Sequence, residues 1–173
     1  MKEKYFSLTT SYDKKGFYFL ITKIKLSKAH KTIESNISDN MYKNNYTEYS
    51  ALWDTGASRS LVDKKVVKEL DLKPIATTNL KHFSIKKQAN IYSVDIIIFN
   101  TAGKKEMLVE NLKVAEDEYL GADLIIGLDL IVNYFDIAIT NKDKIINFSI
   151  RCPSMQTIDF DNYLYKEIAR IKD

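Results

Sequence analysis

Cysteine is almost missing from this sequence: Cys152 stands alone among 173 residues. An internal disulfide is therefore excluded, and the chain suits a reducing compartment, so a cytoplasmic protein is expected. Histidine is scarce as well. His30 and His82 form no His-Glu-Xaa-Xaa-His pattern, which disfavours a metal hydrolase. No metal and no cofactor are expected. Long hydrophobic runs are also lacking: "FYFLI" and "DLIIGLDLIV" are too short or too interrupted to span a bilayer. The opening "MKEKYFSLTTSYDKKG" has neither the apolar centre nor the small-residue cleavage site of a signal peptide. Nor does charge of one sign dominate. The 26 basic and 23 acidic residues leave +3 spread along the chain, so no nucleic-acid partner is implied. Repeats, low-complexity tracts and a phosphate-binding glycine loop are absent too. The triplets at Asn36, Asn45 and Asn147 would matter as glycosylation sites only in a secreted protein.

What is present suits one domain with its own core: 45% hydrophobic and 28% charged residues are close to ordinary soluble composition. A single domain over 1–173 is expected, with its core at about 17–150 and a helical tail at about 158–171. "GFYFLITKIKL" (16–26) alternates and is rich in β-formers, so it reads as a strand; 27–46 reads as a polar excursion. "YSALW" (49–53) is a strand ending at Asp54. In "SLVDKKVVKELDL", Leu61, Val62, Val66, Val67 and Leu70 have the spacing of one helical face, with Ser60 and Asp63 as a capping pair. Beyond it, "TTNLKHFSI" and "ANIYSVDIIIF" predict a hairpin with its tip near 84–89, and "KEMLVENLKVA" a further strand. "ADLIIGLDLIVNYF" combines a buried strand, Gly127 and a short helix, and "DIAITNKDKIINFSI" a final hairpin turning at "NKDK". The expected fold is mainly β, a small closed or partly open barrel with two or three short helices.

One residue is awkwardly placed. An apolar strand delivers Asp54 into the small-residue loop Thr55, Gly56, Ala57, Ser58, and an unpaired buried charge is costly. Asp-Thr-Gly alone is an ordinary turn signal. Far downstream, however, a second apolar strand, "DLIIG", also ends in glycine before entering "LDLI". Glycine at such a point permits close backbone approach, so two strands could hold the loop between them.

These two segments resemble the signatures of the retropepsin-like aspartic proteases. "ALWDTGASRSLV" is similar to the family's active-site loop, and "ADLIIGLDLI" to its second motif. The resemblance covers roughly 17–150. It implies a retropepsin-type barrel, cleavage of a peptide or protein substrate, and a homodimer in which each chain supplies one aspartate. By the same resemblance, Asp54 would be catalytic and Thr55 would bond across the dimer. Gly56 and Ala57 would complete the loop, Ser58 would support the outer carboxylate oxygen, and Gly127 would pack beneath. Ser84, Ile85, Lys86, Lys87 and Gln88 would form the flap over substrate. Two departures stand out: the flap tip lacks glycine, and Trp53 is larger than the usual aliphatic residue before the aspartate.

Other readings are weaker. A dehalogenase-type phosphotransferase needs a second acid two positions after the first, where this chain has Gly56. Asp129 could be read as a second catalytic acid, but by the resemblance it is structural and reads as a cap of its short helix; Cys152 reads as filler, and Lys86 with Lys87 as a solvated hairpin tip. The competing class is a retropepsin-fold homodimer that binds a peptide or partner without cutting it. The intact Asp54-Thr55-Gly56 favours the endopeptidase.

Overall fold

Strands make up most of the described residues, and they assemble into two β-sheets. The computed structural model describes residues 6–13, 15, 19–29, 46–82, 85–99, 106–118 and 121–154. The strands are β1 (Phe6–Asp13), β2 (Ile21–Lys28), β3 (Thr47–Trp53), β4 (Leu61–Asp63), β5 (Ala76–His82), β6 (Ile85–Phe99), β7 (Glu106–Asp117), β8 (Leu124–Ile126), β9 (Asp136–Lys142) and β10 (Ile145–Cys152). Two short helices follow β4 and β8: α1 (Lys64–Glu69) and α2 (Leu128–Tyr134). The fold is mainly β, as the sequence predicts.

Six strands close into a barrel. Their order is β2-β3-β8-β4-β7-β6, and β2 pairs back onto β6 through Ile24↔Ile98 and Leu26↔Ile96. Closure removes the open edges within that ring. Its interior holds Ile24, Leu26, Val62, Val94, Ile96, Ile98, Val114, Leu124 and Ile126, nearly all fully buried. The β5–β6 hairpin extends from the ring, pairing from Ala76↔Ile91 to His82↔Ile85. A separate antiparallel sheet, β1-β10-β9, adds Phe6, Leu8, Phe148 and Ile150 to the same core. Among the described residues, no helix is long and apolar enough to cross a membrane.

Several expectations shift. The first strand begins at Ile21 rather than residue 16, and β1 was not foreseen, because "FSLTTSYD" carries few strongly hydrophobic residues. Leu61 and Val62 belong to strand β4, not to the helix. β4 lies between β7 and β8 in the sheet, and both of its faces are covered: Val62 enters the main core and Leu61 a small cluster with Ala115 and Ile125, so adjacent residues are apolar, a pattern that mimics a helical face. The capping pair dissolves accordingly. Asp63 alone caps α1, accepting from Lys65 N, while Ser60 bonds elsewhere. The expected tip at 84–89 shifts, because Lys86, Lys87 and Gln88 already pair with Lys81, Leu80 and Asn79. The polar residues mark a solvated strand rather than a turn. The expected tail helix and residues 30–45 of the polar excursion lie outside the described residues.

Candidate active site

The end of β3 is positioned by parallel pairing with β8, Ala51↔Leu124 through Trp53↔Ile126. Asp54 adds one more rung, its N–H donating to Ile126 O at 3.0 Å. Trp53 anchors the strand just before the carboxylate. Its indole is 3% exposed, meets Phe135 edge-on at 5.4 Å and Phe148 at 5.5 Å, and donates from Nε1 to Thr22 Oγ1 at 2.9 Å. An aliphatic residue could not make that hydrogen bond. The large residue before Asp54 is thus accommodated by an aromatic cluster that fixes where the aspartate emerges.

The loop then folds on itself. Gly56 N–H donates to Asp54 Oδ1 at 2.8 Å, and Ala57 N–H reaches the Asp54 carbonyl at 3.3 Å. The Gly56 bond fixes the orientation of the Asp54 carboxyl group. Asp54 is half-buried, whereas Thr55, Gly56 and Ser58 are exposed. Among the described residues no hydrogen bond joins Ser58 to Asp54; the carboxylate's donor is the Gly56 amide.

Gly127 lies beneath the loop with no room for a side chain. A Cβ there would stand 2.5 Å from the Arg59 carbonyl carbon, 2.7 Å from its oxygen and 2.9 Å from Ser60 N. The backbones therefore touch, and hydrogen bonds lock them: Leu128 N–H to Ala57 O at 2.8 Å, and Gly127 N–H to Ser60 Oγ at 3.1 Å. Asp129 completes the lock. Its carboxylate accepts Ser60 N–H at 2.9 Å and Ser60 Oγ–H at 2.7 Å, and Ser60 is fully buried. Asp129 was expected to cap α2. The cap position is instead Gly127, without a side-chain bond, and Asp129 in the first turn braces the Asp54 loop. Sequence reasoning took Ser60 as half of a capping pair and Asp129 as a structural helix cap; what it missed is that the two bond to each other beneath the Asp54 loop.

Around the carboxylate the surface is apolar. A cavity of about 310 Å³ is lined by Phe19, Leu20, Leu52, Trp53, Asp54, Thr55 and Ile139. On the other side, Leu61, Ala115 and Ile125 form a small core, and Leu52, Ala57 and Leu80 pack against it. Leu80 comes from β5, so the hairpin reaches the loop's apolar floor. Of the expected flap residues, Lys86 and Gln88 are exposed in β6. The Lys87 ammonium pairs with Asp117 at 3.0 Å, so it anchors the hairpin to the end of β7. Ile85 pairs with His82, and Ser84 lies outside the described residues. No group of three potential metal ligands occurs among the described residues.

No family model matches the chain. No curated protein matches it either. A solved structure similar to it is a retropepsin-like aspartic protease from Rickettsia conorii, with a TM-score of 0.47 and 13% identity, covering 86% of this chain and 94% of that one. The chain itself supplies one carboxylate held between two strand ends at the mouth of a cavity.

Proposed function

We propose that the protein is an aspartic endopeptidase, a hydrolase acting as a homodimer through Asp54 and Asp54 of a second copy. The observation that carries this reading is the immobilised carboxylate. Asp54 is held by the Gly56 amide, its loop is bolted to Gly127 and Asp129, and it borders an apolar cavity. Neither a salt bridge nor a metal cluster among the described residues gives it a structural task.

A single carboxylate does half of the chemistry. Hydrolysis without a metal or a nucleophilic side chain needs a base for water and an acid for the substrate carbonyl. Two aspartates about 3 Å apart cannot both ionise, so one proton is shared and both roles are filled. The ionised member takes a proton from water as the oxygen attacks the scissile carbonyl carbon. The protonated member gives its proton to the carbonyl oxygen, forming a neutral gem-diol. Collapse expels the amine, which takes a proton from the dyad, and the second hydroxyl of the diol returns one. The chain contributes one Asp-Thr-Gly, and a two-fold axis supplies the second by pairing Asp54 with its own mate. Thr55, Ala57 and Ser58 serve the loop, and residues 84–88 the cover over substrate.

The test is a cleavage assay from acidic to neutral pH on unfolded protein substrates, with Asp54→Asn run beside wild type. The amide is nearly isosteric but cannot accept or share the proton. Turnover should vanish while the circular dichroism spectrum persists. Near wild-type turnover in the variant would remove Asp54 from the mechanism. A folded wild type that binds peptides without cleaving them would favour the non-cleaving homodimer.

A further inference from the structure

The β5–β6 hairpin carries charge of one sign. From Leu72 to Val94 the chain holds Lys73, Lys81, Lys86 and Lys87 but no aspartate or glutamate. Acids from outside the hairpin neutralise two of the four: Lys73 pairs with Asp71 at 2.7 Å and Lys87 with Asp117 at 3.0 Å. Lysines of β2 are matched in the same way, Lys23 with Glu48, Lys25 with Glu106 and Lys28 with Asp71. Lys81 and Lys86 differ. Both are exposed, and among the described residues neither has an acidic partner.

The register brings these two lysines together. Lys81 is the cross-strand partner of Lys86, so the two share a face of the hairpin and stand directly opposite, where like charges repel. Two residues along on that face, Asn79 pairs with Gln88, and both are exposed. Two ammonium groups and two primary amides thus line one strip, all of them hydrogen-bond donors with no acid among them. The other face of the hairpin has different work. Leu80 packs on the apolar floor of Leu61, Ala115 and Ile125, and its partner Lys87 is tied to Asp117. One face therefore leans on the floor beside the Asp54 loop while the lysine strip looks away from it.

We propose that this outer strip, Lys81 and Lys86 with Asn79 and Gln88, docks an acidic stretch of the polypeptide substrate, at a contact separate from the cleavage cleft. A carboxylate between the two ammonium groups converts their repulsion into attraction. The proposal rests on the endopeptidase reading and deepens it by naming a substrate class: chains with a run of Asp or Glu beside the segment that is cut. Charge complementarity selects a polypeptide rather than a nucleic acid. Binding to a phosphate backbone engages many phosphates at once, whereas the strip offers two cations. Its described residues also include no aromatic side chain on which a base could stack. Docking on the strip holds the substrate equally before and during reaction, so it acts on KM and leaves kcat alone.

Fluorescence anisotropy on the Asp54→Asn protein tests this without relying on turnover. The probes are labelled peptides with one apolar centre, flanked on either side in turn by a run of glutamates or, in the control, of glutamines. A glutamate peptide should bind more tightly, and its advantage should vanish at about 1 M salt, where charges are screened within about 3 Å. Lys81→Glu sets an acid opposite Lys86, a cross-strand pairing that favours the hairpin, so its effect on binding is not one of misfolding. An exposed ion pair is worth up to about fivefold in affinity. With both lysines lost to the ligand, the glutamate peptide should bind about tenfold more weakly, while the glutamine peptide and the circular dichroism spectrum stay unchanged. With Asp54 restored, the same substitution should raise KM for the glutamate peptide at constant kcat. Equal affinities for the two peptides, or a preference that survives Lys81→Glu, overturn the strip and leave the endopeptidase reading standing. A single-stranded oligonucleotide that binds more tightly than the glutamate peptide, and is lost in the same variant, overturns the choice of polypeptide. Binding through Lys81 with neither peptide cut by wild type overturns the endopeptidase reading instead, and leaves the strip as the dock of an acidic partner.

Discussion

At the scale of single residues, the two glycines of the site differ in what limits them, and this separates folding from chemistry. A Cβ at Gly127 would strike backbone on three sides, the nearest atom at 2.5 Å, and backbone cannot rotate away. Gly127→Ala should lose about 1–3 kcal/mol of stability, as overpacked sites do, and activity should fall because the Asp54 loop moves with it. A Cβ at Gly56 would meet only Asp54 Oδ1, at 3.1 Å, in an exposed loop. Gly56→Ala should therefore lose turnover with the urea midpoint nearly unchanged. Equal stability losses for the two substitutions would contradict the close approach of Gly127 to Arg59 and Ser60. Asp54 and Gly127 were both legible in the sequence, since each ends an apolar run and is followed by small or helix-starting residues. Ser60 and Asp129 were not. Their bond joins residues 69 apart, and a hydroxyl beside a turn or an acid in a first helical turn has many local explanations that suit it equally well.

Among the elements, the long hairpins and the β8–α2 unit were readable because their patterns are pure: alternation in one case, an unbroken apolar run ending in glycine in the other. β4 was misread because a strand of three residues buried on both faces has no period of its own. Its neighbour β8 is held by an element-scale clip that the sequence also hid. The half-buried Asp123 accepts Ser50 N–H and Ser50 Oγ–H, each at 2.8 Å, and pairs with Lys65 at 2.5 Å; its own N–H donates to Ser50 O at 3.1 Å. Asp63 N–H also donates to the Asp123 carbonyl at 3.0 Å. One residue thus ties β3, β8 and the β4–α1 junction together. Burial pushes its carboxyl pKa upward, but the Lys65 and Ser50 bonds together outweigh it and hold the pKa below the ordinary value. A carboxyl depressed on folding adds stability above its unfolded pKa of about 3.9, and that stability is lost as pH falls through the folded value. Asp123→Asn should cost about 1.5–3 kcal/mol at pH 7, the range for hydrogen bonds to a charged group. The deficit should narrow as pH drops below about 4, where the wild-type carboxyl protonates too. Urea titrations at pH 7 and pH 3 measure both quantities. A deficit that stays constant between them would mean the clip works by shape rather than by charge.

For the whole molecule, the barrel and its hairpin extension form one continuous pairing network among the described residues. Under the proposed homodimer reading, turnover depends on assembly, so pH and concentration should act on it through different features of the same curve. Catalysis by a shared-proton pair requires one carboxyl protonated and one ionised. Below the first ionisation of the pair no base remains, and above the second no acid remains. Repulsion between the two charges and partial burial raise the second ionisation, while hydrogen bonds to the charged form lower the first. The expected profile of kcat/KM is a bell with an acidic optimum, and its limbs belong to the pair rather than to either chain. Dilution should leave the positions of those limbs unchanged and lower the height of the curve, because it removes dimers without altering the chemistry of those that remain. Below the dimer dissociation constant, rate should fall with the square of chain concentration. Full activity persisting to pH 8–9 on a single ascending limb, well above the carboxyl range, would assign the chemistry to another base. A rate linear in concentration down to the nanomolar range, with Asp54 still essential, would mean either that one carboxylate suffices or that the dimer is too tight to dissociate there. The mass of the diluted sample by analytical ultracentrifugation distinguishes those two.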